Sequence, residues 1–224
     1  MRFVKGFVAL GVMSALWAVV AMPVPPTAAA AIVCKFPRGE HGIMRSGRVL
    51  VWSDVRGQGG EARTVVVACL RPNGRRHTLY ESAPHFWPPV FSQVKYAGTL
   101  VAMLITEGGG FGSTGVLFVF DVRSGKQWFH SQVQFSTDYI PSPYASFVGY
   151  ALDAAGDVAW IENAGERGIS PEGSTGSDYL RLRTARGTRV LDIAPAISSV
   201  AIGGGEVTWV AGGISHSTPI VGTG

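Results

Sequence analysis

The chain has 224 residues, 46% of them hydrophobic and 15% charged, with 30 glycines and a formal net charge of +4. This apolar, weakly charged composition excludes a disordered or fibrous chain and suits one folded domain. Arg2 and Lys5 are two of the 19 basic residues; beyond residue 30, 17 Lys and Arg stand against 15 Asp and Glu, so the basic balance predicts no nucleic-acid partner.

Residues 1–30 read as an export signal. Arg2 and Lys5 are followed by an apolar run over 7–22, then by Pro23, Pro25 and Pro26, and then by Ala28, Ala29 and Ala30. The run falls short of the ~20 residues that span a bilayer, so cleavage after Ala30 is expected, with an uncleaved anchor as the alternative and the one route to a membrane. The remaining segment, 31–224, is read as a single β-domain outside the cytoplasm, either secreted or in the cell envelope. In that compartment its two cysteines, Cys34 and Cys69, are expected to form a disulfide, free buried thiols being the alternative.

From residue 40 onward the chain repeats. A glycine turn followed by a short apolar strand starts at Gly47, Gly98, Gly156 and Gly205, which are 51, 58 and 49 residues apart. A second glycine turn, with basic residues beside it, follows at Gly74, Gly125 and Gly187. Short strands recurring about every 50 residues predict propeller blades. The expected strands are 42–46, 49–55, 64–70 and 77–81; 92–97, 100–106, 115–122 and 127–133; 147–153, 158–162, 179–183 and 189–193; then 199–202, 207–211 and 219–221. The fold expected is all-β, about four blades of four antiparallel strands. The last blade lacks a strand, which residues 32–36 would supply if the ring closes; the alternative is a chain truncated at Gly224, with further blades once following.

The connectors sort by length. Those after first and third strands are tight, whereas those after second and fourth strands are longer and rich in glycine or proline, at 56–61, 84–89, 107–114, 139–144, 163–178, 194–196 and 212–218. In a meander these two classes fall at opposite ends, so a binding site is expected at the long-connector end. His85, Phe86, Trp87, Tyr139 and Tyr144 lie there among prolines, with Glu107 close by. Rigidly held aromatics suit a glycan, a protein or a small ligand, or else they tuck over the sheets. Trp52, Trp160 and Trp209 occupy similar strand positions and are expected in the core. Two arginine groups, Arg71, Arg75 and Arg76, and Arg181, Arg183 and Arg189, are expected to be solvated strand edges.

No metal-ligand spacing, phosphate loop or Ser-His-Asp order is present, so no metal, cofactor or catalytic residue is assigned. Asp54, Glu107, Asp138 and Glu162 could supply a carboxylate pair. The reading is therefore a monomeric, non-enzymatic binding or interaction module, the alternative being a cell-envelope hydrolase or lyase of glycosidase type.

The strand and turn over 119–126, together with Ala68-Cys69-Leu70 and Ala159-Trp160-Ile161, resembles secreted bacterial β-propeller repeat proteins of the WD40-like and TolB-like type, notably actinobacterial ones of unknown function. The resemblance covers about residues 40–221 and implies fold and location only. The Gly-His and Trp-Asp marks of true WD40 blades do not recur. Gly108, Gly109, Gly110 and Trp128 are similar to a kelch blade in the second repeat alone, and the Asp-box of sialidase-type propellers is absent.

Overall fold

The computed structural model describes residues 34–36, 41–71, 73–84, 88–109, 112–134, 146–163 and 177–221. All belong to one compact unit, Ala31–Gly224, separate from Met1–Ala30. The described residues form four antiparallel sheets, consecutive along the chain. Sheet 1 is β1 (His41–Arg45), β2 (Val49–Arg56), β3 (Arg63–Leu70) and β4 (Arg75–Glu81); sheet 2 is β5 (Val90–Ala97), β6 (Leu100–Gly109), β7 (Gly112–Asp121) and β8 (Lys126–Gln134). Sheet 3 is β9 (Ser146–Leu152), β10 (Val158–Asn163), β11 (Asp178–Thr184) and β12 (Gly187–Ala194); sheet 4 is β13 (Ile197–Gly203), β14 (Glu206–Ala211) and β15 (Ile214–Pro219). Each is a simple meander in sequence order.

The second strands explain why the sheets stack. Side chains alternate faces along a strand, and β2, β6 and β10 are apolar on both. Val49 and Val51 point to sheet 2, whereas Leu50 and Trp52 point the other way. Val101, Met103 and Ile105 face sheet 1, while Leu100, Ala102 and Leu104 face sheet 3. Val158 and Trp160 face sheet 2, and Ala159 and Ile161 face sheet 4. A strand with two apolar faces must be covered twice. The core is accordingly three layers, one between each pair of consecutive sheets.

The two ends of the stack are finished differently. In β14, Val207, Trp209 and Ala211 are buried against sheet 3, while Glu206 and Thr208 on the outer face are exposed. The outer face of sheet 1 is apolar, and Cys34 and Phe36 pack on it. Cys34 is bonded to Cys69 of β3, with Cα atoms 5.8 Å apart, so the expected disulfide is present. This position bears on the expectation that residues 32–36 supply the missing strand of the last sheet. Residues 32 and 33 lie outside the described residues, but Cys34–Phe36 form no strand and cover sheet 1, not β15. Among the described residues sheet 4 has three strands, and no core cluster joins it to sheet 1.

Two connectors also differ from expectation. The β14–β15 link is a two-residue turn at Gly212 and Gly213, both at positive φ (57° and 81°), so the third strand of sheet 4 is Ile214–Pro219 and not 219–221. Gly-Gly flanked by strand residues is a hairpin signal that the sequence reading passed over. The β6–β7 hairpin runs on to Gly109 and Gly112, which absorbs most of the loop expected over 107–114.

Turn glycines at the tight end let neighbouring sheets approach. At Gly156 (φ 97°) an added Cβ would sit 2.9 Å from Trp128 Nε1, which donates to the Gly156 carbonyl at 3.2 Å. At Gly125 (φ 72°) it would meet His77 of sheet 1 at 2.8 Å. Gly47 differs, because its turn is held by Ser46 Oγ, which accepts from Val49 N at 2.8 Å and needs no positive φ.

Sheets 2 and 3 are further joined through Tyr150. Its ring lies in the apolar layer, and its hydroxyl sits between two carbonyls that share its one proton, Ala102 O at 2.9 Å and Gln93 O. Gln93, at φ 49°, is the one described non-glycine residue with positive φ and sits in a bulge that turns its carbonyl toward Tyr150. Burial pushes the phenol well above its usual range, despite the opposing effect of Lys95.

Two outcomes follow from these contacts. Alkylation before reduction should label no thiol, and after reduction should label two; reduction should lower unfolding stability by about 3–4 kcal/mol, the chain-entropy value for a loop of this length. A phenol whose proton is held more tightly in the folded state stabilises it below the unfolded pKa of about 10, and that contribution fades as pH rises past it. Denaturant melts of wild type should therefore lose stability above about pH 10 more steeply than those of Tyr150→Phe.

Candidate functional site

Trp52, Trp160 and Trp209 occupy one structural position. Each lies on the second strand of its sheet, and each points toward the side from which the chain enters the stack. All three are buried, as expected of core tryptophans. A large ring carrying one N–H donor needs a polar partner when buried, and the three positions meet that need with different neighbours.

At Trp160 the preceding sheet supplies the cover. Phe129 of β8 lies 5.1 Å from the indole, ring to ring. Trp160 Nε1 donates to Glu162 Oε1 at 2.6 Å, and Arg181 Nε donates to Glu162 Oε2 at 2.9 Å. Ser131 of β8 reaches the same carboxylate at 3.5 Å, and the Arg181 guanidinium lies 5.5 Å from the Tyr179 ring. Cross-strand register brings these together, since Trp160 pairs with Arg181 and Glu162 with Tyr179. At Trp209 the indole donates to Asp192 of β12 at 2.6 Å, and His216 stacks on its face at 5.5 Å.

At Trp52 no sheet lies in front among the described residues. Phe36 meets the indole edge-on at 6.5 Å and the Arg76 guanidinium lies 5.6 Å from the ring centre. A recess of about 280 Å³ remains, lined by Trp52, Asp54, Arg56, Val67, Arg76 and Thr78, among others. Asp54 and Arg56 pair across it at 3.5 Å. Trp52 is 3% exposed, so its ring is a floor under Arg76 and not an open stacking platform. The recess offers two guanidinium groups, a carboxylate and the Thr78 hydroxyl around an apolar base. A second, shallow concavity covers the free face of sheet 4, lined mainly by small and polar residues including Ser199, Thr208, Ser215 and Ser217.

Of the residues singled out by sequence, His85, Phe86, Trp87, Tyr139 and Tyr144 lie outside the described residues. Glu107 is exposed on β6, opposite Thr114 near the tip of the β6–β7 hairpin. Asp138 also lies outside the described residues; Asp54 and Glu162 are each committed to an arginine. Among the described residues no three His, Cys, Asp or Glu converge as metal ligands would. Arg181 is not the solvated edge residue expected but half of an inter-strand ion pair, because its strand is interior to sheet 3. Arg71 is likewise drawn inward, donating to Cys34 O at 3.4 Å. Sequence reasoning missed the Trp52 recess and the Trp160–Glu162–Arg181 set. A signal was present, in that an acidic residue stands two positions after Trp52 and Trp160 and so shares their strand face.

Glu162→Gln should lower stability by about 1–3 kcal/mol, since it leaves the half-buried Arg181 without its counter-charge. Chemical unfolding of Glu162→Gln, Arg181→Met and the double variant checks this: the double variant should lose less than the sum of the two single changes.

Compared with protein-family models and with curated protein sequences, the chain matches none.

Proposed function

We propose that the four sheets are blades of a propeller-type arc, and that the chain is a non-enzymatic binding module working outside the cytoplasm. The disulfide between Cys34 and Cys69 is compatible with that compartment. The repeated register shifts support the arc: a bulge interrupts every first-to-second and every third-to-fourth strand pairing. Bulges increase strand twist, which sheets stacked face to face around an axis require.

The observation that carries the binding role is the segregation of connectors. Links after first and third strands are short in all four sheets, the longest being 153–157. The long links, 57–62, 82–89, 135–145 and 164–177, all follow second or fourth strands and so emerge at the opposite end. A rigid stack whose long connectors follow strand ends on one side is a scaffold for recognition. His85, Phe86, Trp87, Tyr139 and Tyr144 fall within two of these links, and Glu107 lies toward the same end. Their chemistry suits a glycan, a protein or a small ligand. The glycosidase alternative is weakened because Asp54 and Glu162, the described candidates besides Glu107, are each neutralised by an arginine.

A glycan array and a secretome pull-down with the purified chain supply the test. Trp87→Ala and Tyr144→Ala should each weaken capture by roughly tenfold, in line with loss of an aromatic anchor, with an unchanged melting temperature. A fall in melting temperature in both variants would place these rings in the core and remove the proposed surface.

A further inference from the structure

Sheets 1 to 3 end in outer strands that carry charge. β4 has Arg75, Arg76 and Glu81, β8 has Lys126, and β12 has Arg189 and Asp192. Charges on an edge strand deter pairing with another chain. Among the described residues sheet 4 ends one strand earlier, on β15, whose residues Ile214, Ser215, His216, Ser217, Thr218 and Pro219 include no Asp, Glu, Lys or Arg. Five of these six are exposed, Ile214 at 65%.

The backbone groups that this edge offers follow from the ladder. Ile220 N donates to Gly205 O at 2.7 Å, in the same register that pairs Glu206 with Pro219. Antiparallel pairs alternate between bonded and non-bonded, so Ile214, His216 and Thr218 point their N–H and C=O groups at β14, while Ser215, Ser217 and Pro219 point theirs outward. Arg189 Nη2 reaches the Pro219 carbonyl at 3.5 Å, as an outward carbonyl there requires. Proline has no N–H, so the outward donors of β15 are those of Ser215 and Ser217.

We propose that β15 is a homodimerisation edge on which β15 of a second copy adds antiparallel. Centring the twofold axis on His216 sets Ser215 opposite Ser217 of the other copy and Ser217 opposite its Ser215. Every outward N–H of the strand then meets an outward carbonyl, giving four backbone bonds. The strand carries no Asp, Glu, Lys or Arg, so self-pairing sets no two such residues of like sign opposite one another. The contact is isologous and closes both open edges at once, leaving a six-stranded sheet with no exposed β15. Pro219 and its Arg189 contact end the pairing after Ser217, which favours this short reciprocal contact over a long one-sided addition. The dimer departs from the monomer expected from sequence, and it stands apart from the long-connector ligand site.

Sedimentation of the purified chain at rising concentration, with hydrogen exchange on the same samples, tests the pairing. Wild type should dimerise, and the Ser215 and Ser217 amides should become protected as it does. Ser217→Pro removes an outward donor without touching the β14 ladder and should raise the dimer Kd by about tenfold or more, while Ser217→Ala should leave it unchanged. If Ser217→Pro fails to fold, Ser215→Lys serves in its place, since it puts a charge on the edge. A chain that stays monomeric at every concentration, a dimer indifferent to the edge variants, or protection at other strands would overturn the proposal. So would a monomer that takes an unrelated extended peptide onto β15.

Discussion

Burial of both faces of a short strand is the constraint on which this structure depends. β2, β6 and β10 carry apolar side chains at successive positions, so a single sheet could not hide them. Stacking sheet on sheet satisfies both faces, and each added sheet supplies one half of the next apolar layer. The polar groups that fall inside these layers are provided for locally. Tyr150 is held by two carbonyls of sheet 2, Trp160 by Glu162, and Trp209 by Asp192 of the preceding sheet. Those bonds cross or border the layers, so they fix how one sheet sits on the next as well as satisfying a buried donor.

The same constraint makes the ends of the stack chemically distinct. Sheet 4 ends it with an alternating strand, in which Glu206 and Thr208 face out while Val207 and Trp209 face in. Sheet 1 keeps an apolar outer face and is capped by Cys34 and Phe36, held in place by a covalent bond. The recess beside Trp52 lies on this same face.

Much of the fold was legible in the sequence. The Gly-plus-strand pattern placed fourteen of the fifteen described strands close to their positions, because glycine turns and runs of Val, Leu and Ile are local signals. β15 was misplaced, since the Gly212–Gly213 hairpin was read as a loop. Of the candidate site, the aromatic connector residues could be named from sequence but not brought together, since connectors of that length take their path from contacts remote in sequence. The Arg181–Glu162 pair joins residues on neighbouring strands, and nothing within either strand announces it.

By itself the sequence determined the number of sheets and the order of their strands, which follow from period-2 patterning and turn chemistry. It also held the polar alternation of β14. Only the tertiary structure decided where Cys34 and Phe36 lie, which tryptophan is left with open space before it, and which arginines point inward. Those outcomes depend on what packs against each face, and a face acquires its neighbour only when distant segments meet.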